Sequence, residues 1–229
     1  MPAQGGISTK TRAPLVKGAR TVRNTTTAIS SSRPTSVRAR GPLFRWRVVD
    51  IVVAAVLGVA AGVVFWLWGL AYQPLSVILG LTPGLEGLTA GGWLFAGVLG
   101  GLIIRRPGAA IFTSVVAGVV EALLGNAWGT GNIIFALIQG IGAELGIAIF
   151  AYASSRVYVA MVSGALAGVA NVIITIPLYY SGVVPMVVTV YAVSAVVSGV
   201  VLGGIFAWIV ARGLARAGAL ARFPMAHAR

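Results

Sequence analysis

Between Glu121 and Glu144 the chain reads EALLGNAWGTGNIIFALIQGIGAE, which sets two carboxylates, two asparagines, a glutamine and a tryptophan in apolar surroundings. Carboxylates supply charge or accept from a protonated ring nitrogen, amides supply directed hydrogen bonds, and an indole supplies a face on which a ring or cation can rest. An ionisable side chain inside a membrane helix costs at least about 2.5 kcal/mol, so it is kept with a partner or a ligand. Together these residue types suit a small-molecule binding site.

Catalysis is a poor fit. The last lysine is Lys17, so no Gly-rich loop ending in Lys-Ser/Thr exists and the chain cannot power itself with ATP. A single aspartate, Asp50, excludes an aspartyl dyad, and the one histidine, His227, lies in the tail, out of reach of a serine nucleophile. The enzyme reading is rejected. With no cysteine there are no disulfides, thiolates or Cys-ligated metals, and no cofactor or metal is implied.

The elements that must position these groups follow from hydropathy. With 58% hydrophobic and 9% charged residues, against roughly 25% charged in soluble domains, the chain is an integral membrane protein. Recurrent apolar runs close to the length that crosses about 30 Å of hydrocarbon indicate helices rather than a barrel. The expected fold is all-α, polytopic, with six transmembrane helices at about 48–71, 88–104, 108–124, 131–152, 157–179 and 185–210. Residues 45–212 form the membrane domain, residues 1–44 a disordered basic cytoplasmic tail and residues 213–229 a basic cytoplasmic tail.

The net charge of +13 belongs to the ends: ten of the 17 Lys and Arg precede Val48 and four follow Val210. That distribution marks topology and affinity for anionic membrane lipid, not nucleic acid. All 17 lie in the tails, at Arg105 and Arg106, or at Arg156, and the three alternate connections hold none. Both termini are therefore expected in the cytoplasm of a plasma-membrane protein, with Glu86, Asn126, Trp128 and Tyr180 facing outward. Residues 72–90 read as a long outer connection, partly helical or re-entrant, carrying Pro74 and Pro83.

Helical rise then places Glu121 about 5 Å, Gln139 about 12 Å, Asn171 about 10 Å and Tyr191 about 9 Å below the outer ends of four different helices. Asn132 shares a face with Gln139, seven residues on. The candidate binding set is Glu121, Asn126, Trp128, Asn132 and Gln139, joined by Glu86, Trp93, Asn171 and Tyr191. Plainer roles compete for each. Membrane asparagine or glutamine serves as interhelical glue worth about 1 kcal/mol, Trp93, Trp128, Trp66 and Trp68 suit an interfacial belt, and Glu121 suits a neutral bundle carboxyl. Glu144, about 140° round the helix from Gln139, is expected to find a Ser, Thr or backbone partner, and Asp50 to sit beside Arg45 and Arg47. The outer half holds no Lys or Arg, so a cationic or neutral aromatic ligand fits better than an anion.

The six short Gly- and Ala-rich spans, with IIRRPGAA, EALLGNAWG and LIQGIGAELGIAIFAY in that order, resemble the S components, or substrate-binding subunits, of energy-coupling-factor transporters, in the YkoE-type branch. The resemblance covers about Trp46 to Val210. It implies import of thiamine or its hydroxymethylpyrimidine precursor, working with a partner transmembrane subunit and cytoplasmic ATPases. It also implies that the small residues Ala54, Gly58 and Gly62 face that partner, although the same stripe suits packing within the chain. Readings from other classes are a proton-coupled secondary carrier and a non-transporting scaffold; no internal repeat of the kind many carriers carry is visible.

Overall fold

The structure is a computed structural model that describes residues 45–220 and Phe223. The expected tail 1–44, most of the residues beyond 220, and His227 lie outside the described residues. Among the described residues the architecture is all helical. The helices are α1 (Val48–Leu79), α2 (Gly91–Ile104), α3 (Ala109–Leu123), α4 (Asn132–Ala148), α5 (Val157–Tyr179) and α6 (Pro185–Arg216). Five are apolar and long enough to cross a membrane once the 3-10 turn Leu85–Thr89 is counted with α2 and Gly129–Gly131 with α4, and α3 is a shorter apolar helix.

α1 runs eight residues beyond the expected limit of 71, because Pro74 stands inside the helix. A proline deletes one helical hydrogen bond without compelling a stop. The supposed outer connection is thereby reduced to the turn around Gly84. There φ is +97°, and a Cβ would lie 2.7 Å from the Val187 carbonyl, so a glycine is required. At the other extreme α6 continues to Arg216, six residues past 210, through a π-helical stretch, Gly199–Phe206. That stretch lies where α6 meets α5 backbone to backbone, a Cβ on Gly164 falling 2.1 Å from the Gly199 carbonyl.

α2 is the central helix. In the most apolar 18 residues of Leu85–Ile104, 83% are buried, against 33–44% in the corresponding stretches of the other long helices, and Leu94, Phe95, Val98, Leu102 and Ile103 fill the core with Phe65, Ile147 and Val159. α1 closes on α3 through small residues. Ala54 is fully buried, and a Cβ on Gly58 or Gly62 would lie 2.7 Å from Val116 Cβ or 2.6 Å from Val120 Cβ. The expectation that Ala54, Gly58 and Gly62 face a partner subunit is thus corrected. Their smooth face is already occupied by α3 of the same chain.

The basic end is stitched shut. Arg106 Nε pairs with Asp50 Oδ2 at 2.6 Å, so the partner of Asp50 is the α2–α3 turn rather than the Arg45 and Arg47 side chains, although the Arg47 backbone N–H also donates to Oδ2. Trp46 donates to the Pro107 carbonyl, Arg105 to the Tyr152 carbonyl and Trp208 to the Ser155 carbonyl. Glu144 belongs here too. Its Oε1 accepts from Gly108 N–H and the Tyr152 hydroxyl and its Oε2 from Ala110 N–H, capping the start of α3. Burial together with that Glu144 bond pushes the Tyr152 phenol well up, so it stays a donor.

Candidate functional site

At the opposite end, all six helices or their connections converge on a cavity of about 490 Å³. This lies in the range of small-molecule sites. One wall is aromatic. Tyr72 of α1, Trp93 of α2 and Trp128 of the α3–α4 connection pack in mutual contact, with ring centroids 5.4 to 5.5 Å apart. Tyr72 can reach this wall because α1 continues past residue 71. Asn126 holds Trp128 in place, its Oδ1 accepting from the Trp128 backbone N–H.

The facing wall is polar. Gln139 of α4 donates to Asn171 of α5 at 2.9 Å, and Asn171 donates to the Tyr191 hydroxyl of α6 at 3.1 Å, which ties three helices at one level. Above them Glu86 accepts from the Tyr180 hydroxyl at 2.5 Å and from Gly84 N–H at 2.9 Å. Burial, then the bond to Glu86, raises the Tyr180 phenol far above its ordinary range, so Tyr180 remains protonated and donating. The Tyr180 ring packs on that of Tyr191, centroids 4.7 Å apart and planes tilted by 35°.

Seven of the nine expected site residues line this cavity: Glu86, Trp93, Trp128, Asn132, Gln139, Asn171 and Tyr191. Asn126 and Glu121 do not. Glu121 is 0% exposed and stands behind the wall, where Oε1 accepts from Trp93 Nε1 at 2.9 Å and Oε2 accepts from Asn132 Nδ2. Its expected direct contact with ligand is therefore replaced by contact with two residues that do face the cavity. Trp68, expected in the interfacial belt, donates to the Thr89 carbonyl and packs on Trp93 instead.

Sequence reading missed Tyr72, Thr89, Thr175, Tyr179 and Tyr180 as lining residues. Four-residue spacing from Trp68 was the available signal for Tyr72. Among the described residues the lining carries no Lys, Arg, His or Cys, so its formal charge rests on Glu86.

Residues 49–170 match the family described as the permease component of the ABC-type cobalt transport system. The Bacillus subtilis (strain 168) protein YkoE, named as an HMP/thiamine permease, is 31% identical over 179 residues, 76% of this chain and 87% of that protein. A crystal structure of an S-component of an ECF transporter superposes with a TM-score of 0.74 at 28% identity, covering 80% of this chain and 92% of that one. The chain belongs to the YkoE-like S components of energy-coupling-factor transporters. In this S component the cavity is where helix ends, aromatic faces and a carboxylate meet. Its role is in transport, and its apolar helices make it a multi-pass membrane protein.

Proposed function

We propose that this S component binds thiamine or its hydroxymethylpyrimidine precursor in the cavity, and imports it with a partner transmembrane subunit and cytoplasmic ATPases. The supporting observation is the pairing of an aromatic wall, Tyr72, Trp93 and Trp128, with a facing carboxylate, Glu86, in a lining without basic side chains. A flat, cationic or protonatable heterocycle gains ring contacts on one side and charge complementarity on the other. One carboxylate without imidazole or thiolate is a weak donor set for a cobalt-class ion, which favours an organic ligand over the metal in the family's description. On this reading the chain has six spans with both termini in the cytoplasm and opens the cavity to the outer face of the plasma membrane. The connections at the cavity end hold no basic residue, and Arg105, Arg106 and Arg156 lie at the other.

Calorimetry on the purified protein tests the ligand. Thiamine or the pyrimidine alcohol should bind, and thiamine phosphate should bind more weakly because no basic group receives its charge. Tighter binding of the phosphate ester would reject the site.

A further inference from the structure

Glu121 is fully buried, does not touch the cavity, and yet spends both carboxylate oxygens on residues that line it. The two donors it receives are not equivalent. An indole N–H can only donate, so Oε1 is an acceptor whatever else happens. The Asn132 amide has two different ends, a donating NH₂ and an accepting oxygen, and its NH₂ is the end turned to Oε2. The amide oxygen is thereby left as the end directed away from Glu121. The same pattern recurs across the cavity, where the Tyr180 hydroxyl spends its hydrogen on Glu86. Three wall donors, an indole, an amide and a phenol, are thus held by carboxylates.

We infer that Glu121 is a positioning residue that sets the hydrogen-bond polarity of the cavity: by holding the NH₂ of Asn132 it presents the amide oxygen to the ligand and selects a donor there. The inference rests on the proposed ligand class, in which the exocyclic amine of the aminopyrimidine is that donor. A carbonyl in place of the amine meets acceptor against acceptor, which a buried site rejects strongly.

Glu121→Gln changes that logic without changing shape. Its single side-chain oxygen accepts from Trp93, its NH₂ then faces Asn132, and Asn132 turns over to offer its own NH₂ to the cavity. Calorimetry on the purified chain, with the aminopyrimidine alcohol and the analogue carrying a carbonyl in place of the amine, reads this directly. Wild type should favour the amine by about 10-fold or more, and Glu121→Gln should lower that ratio by about 10-fold, toward or past unity. In an Asn132→Ala background the same change should leave the ratio unaltered. A merely structural role would shift both affinities together and spare the ratio. An unchanged ratio in Glu121→Gln, or an equal change in the Asn132→Ala background, overturns the inference. If Glu121→Gln does not fold, Asn132→Ala alone decides, since an amine preference kept without Asn132 overturns it equally. A wild-type protein that binds neither compound overturns the ligand reading as well, whereas one that binds the amine with an insensitive ratio overturns the polarity role alone.

Discussion

The two ends of the bundle use their carboxylates in opposite ways. At the basic end Glu144 is met by Gly108 N–H, Ala110 N–H and the Tyr152 hydroxyl, mostly backbone, and the surrounding connections are tied to one another by Trp46, Arg105, Arg106 and Trp208. At the other end Glu121 and Glu86 receive chiefly side-chain donors, from Trp93, Asn132 and Tyr180, and those side chains line a cavity. A carboxylate answered by backbone closes a helix end, and one answered by cavity-lining side chains tunes a surface that something else will meet.

The largest expected effect lies at the cavity end. Glu86→Gln removes the formal charge of the lining, and desolvated charge pairs lose about 2 kcal/mol or more on such a change, about 30-fold or more in the affinity for thiamine. Calorimetry reporting a change below about threefold would erase the distinction between the two ends. Trp128→Ala comes next. Loss of a stacking face, by analogy with base stacking, costs about 1 to 3 kcal/mol in the same titration.

Glu144→Gln should do the reverse. Ligand affinity should stay within about twofold, and stability should fall by about 1.5 to 3 kcal/mol, the worth of hydrogen bonds to a charged group, seen as a lower melting temperature. An affinity loss comparable to that of Glu86→Gln would show that the basic end takes part in binding. The smallest perturbation addresses orientation. A cysteine at the exposed Ser181 should react with an impermeant reagent on intact cells, and one at the exposed Arg156 only after permeabilisation. The opposite pattern would turn the cavity toward the cytoplasm.

How far the sequence reveals all this depends on which physical signal each feature leaves. The bounds of α5 coincide with the expected 157–179, since the stretch between Arg156 and the Tyr179–Tyr180 pair is mainly apolar and neither Asn171 nor Pro177 stops the helix. The sequence suggests too early an end for α1 because Pro74 marks a possible stop, and whether a helix continues through it depends on tertiary support that hydropathy does not carry. Equal depth on different helices brought out the Gln139, Asn171 and Tyr191 row. Depth says nothing about azimuth, which is why it groups Glu121 with the cavity residues although the side chain stands behind Trp93. The stripe of Ala54, Gly58 and Gly62 shows the same gap: it announces a close helix neighbour without saying which chain supplies it.

The cap that Glu144 places on α3 also governs how the protein sits in lipid. With Gly108 and Ala110 N–H groups received by a side chain, α3 can begin below the headgroups without exposing orphaned amides to hydrocarbon. Its 15 residues rise about 22 Å, less than the roughly 30 Å of an average hydrocarbon layer. A span that short is accommodated by thinning of the bilayer beside it, snorkelling of flanking side chains or association with a partner, at a cost of fractions of a kcal/mol for each ångström. Shorter acyl chains relieve that elastic mismatch and longer ones increase it.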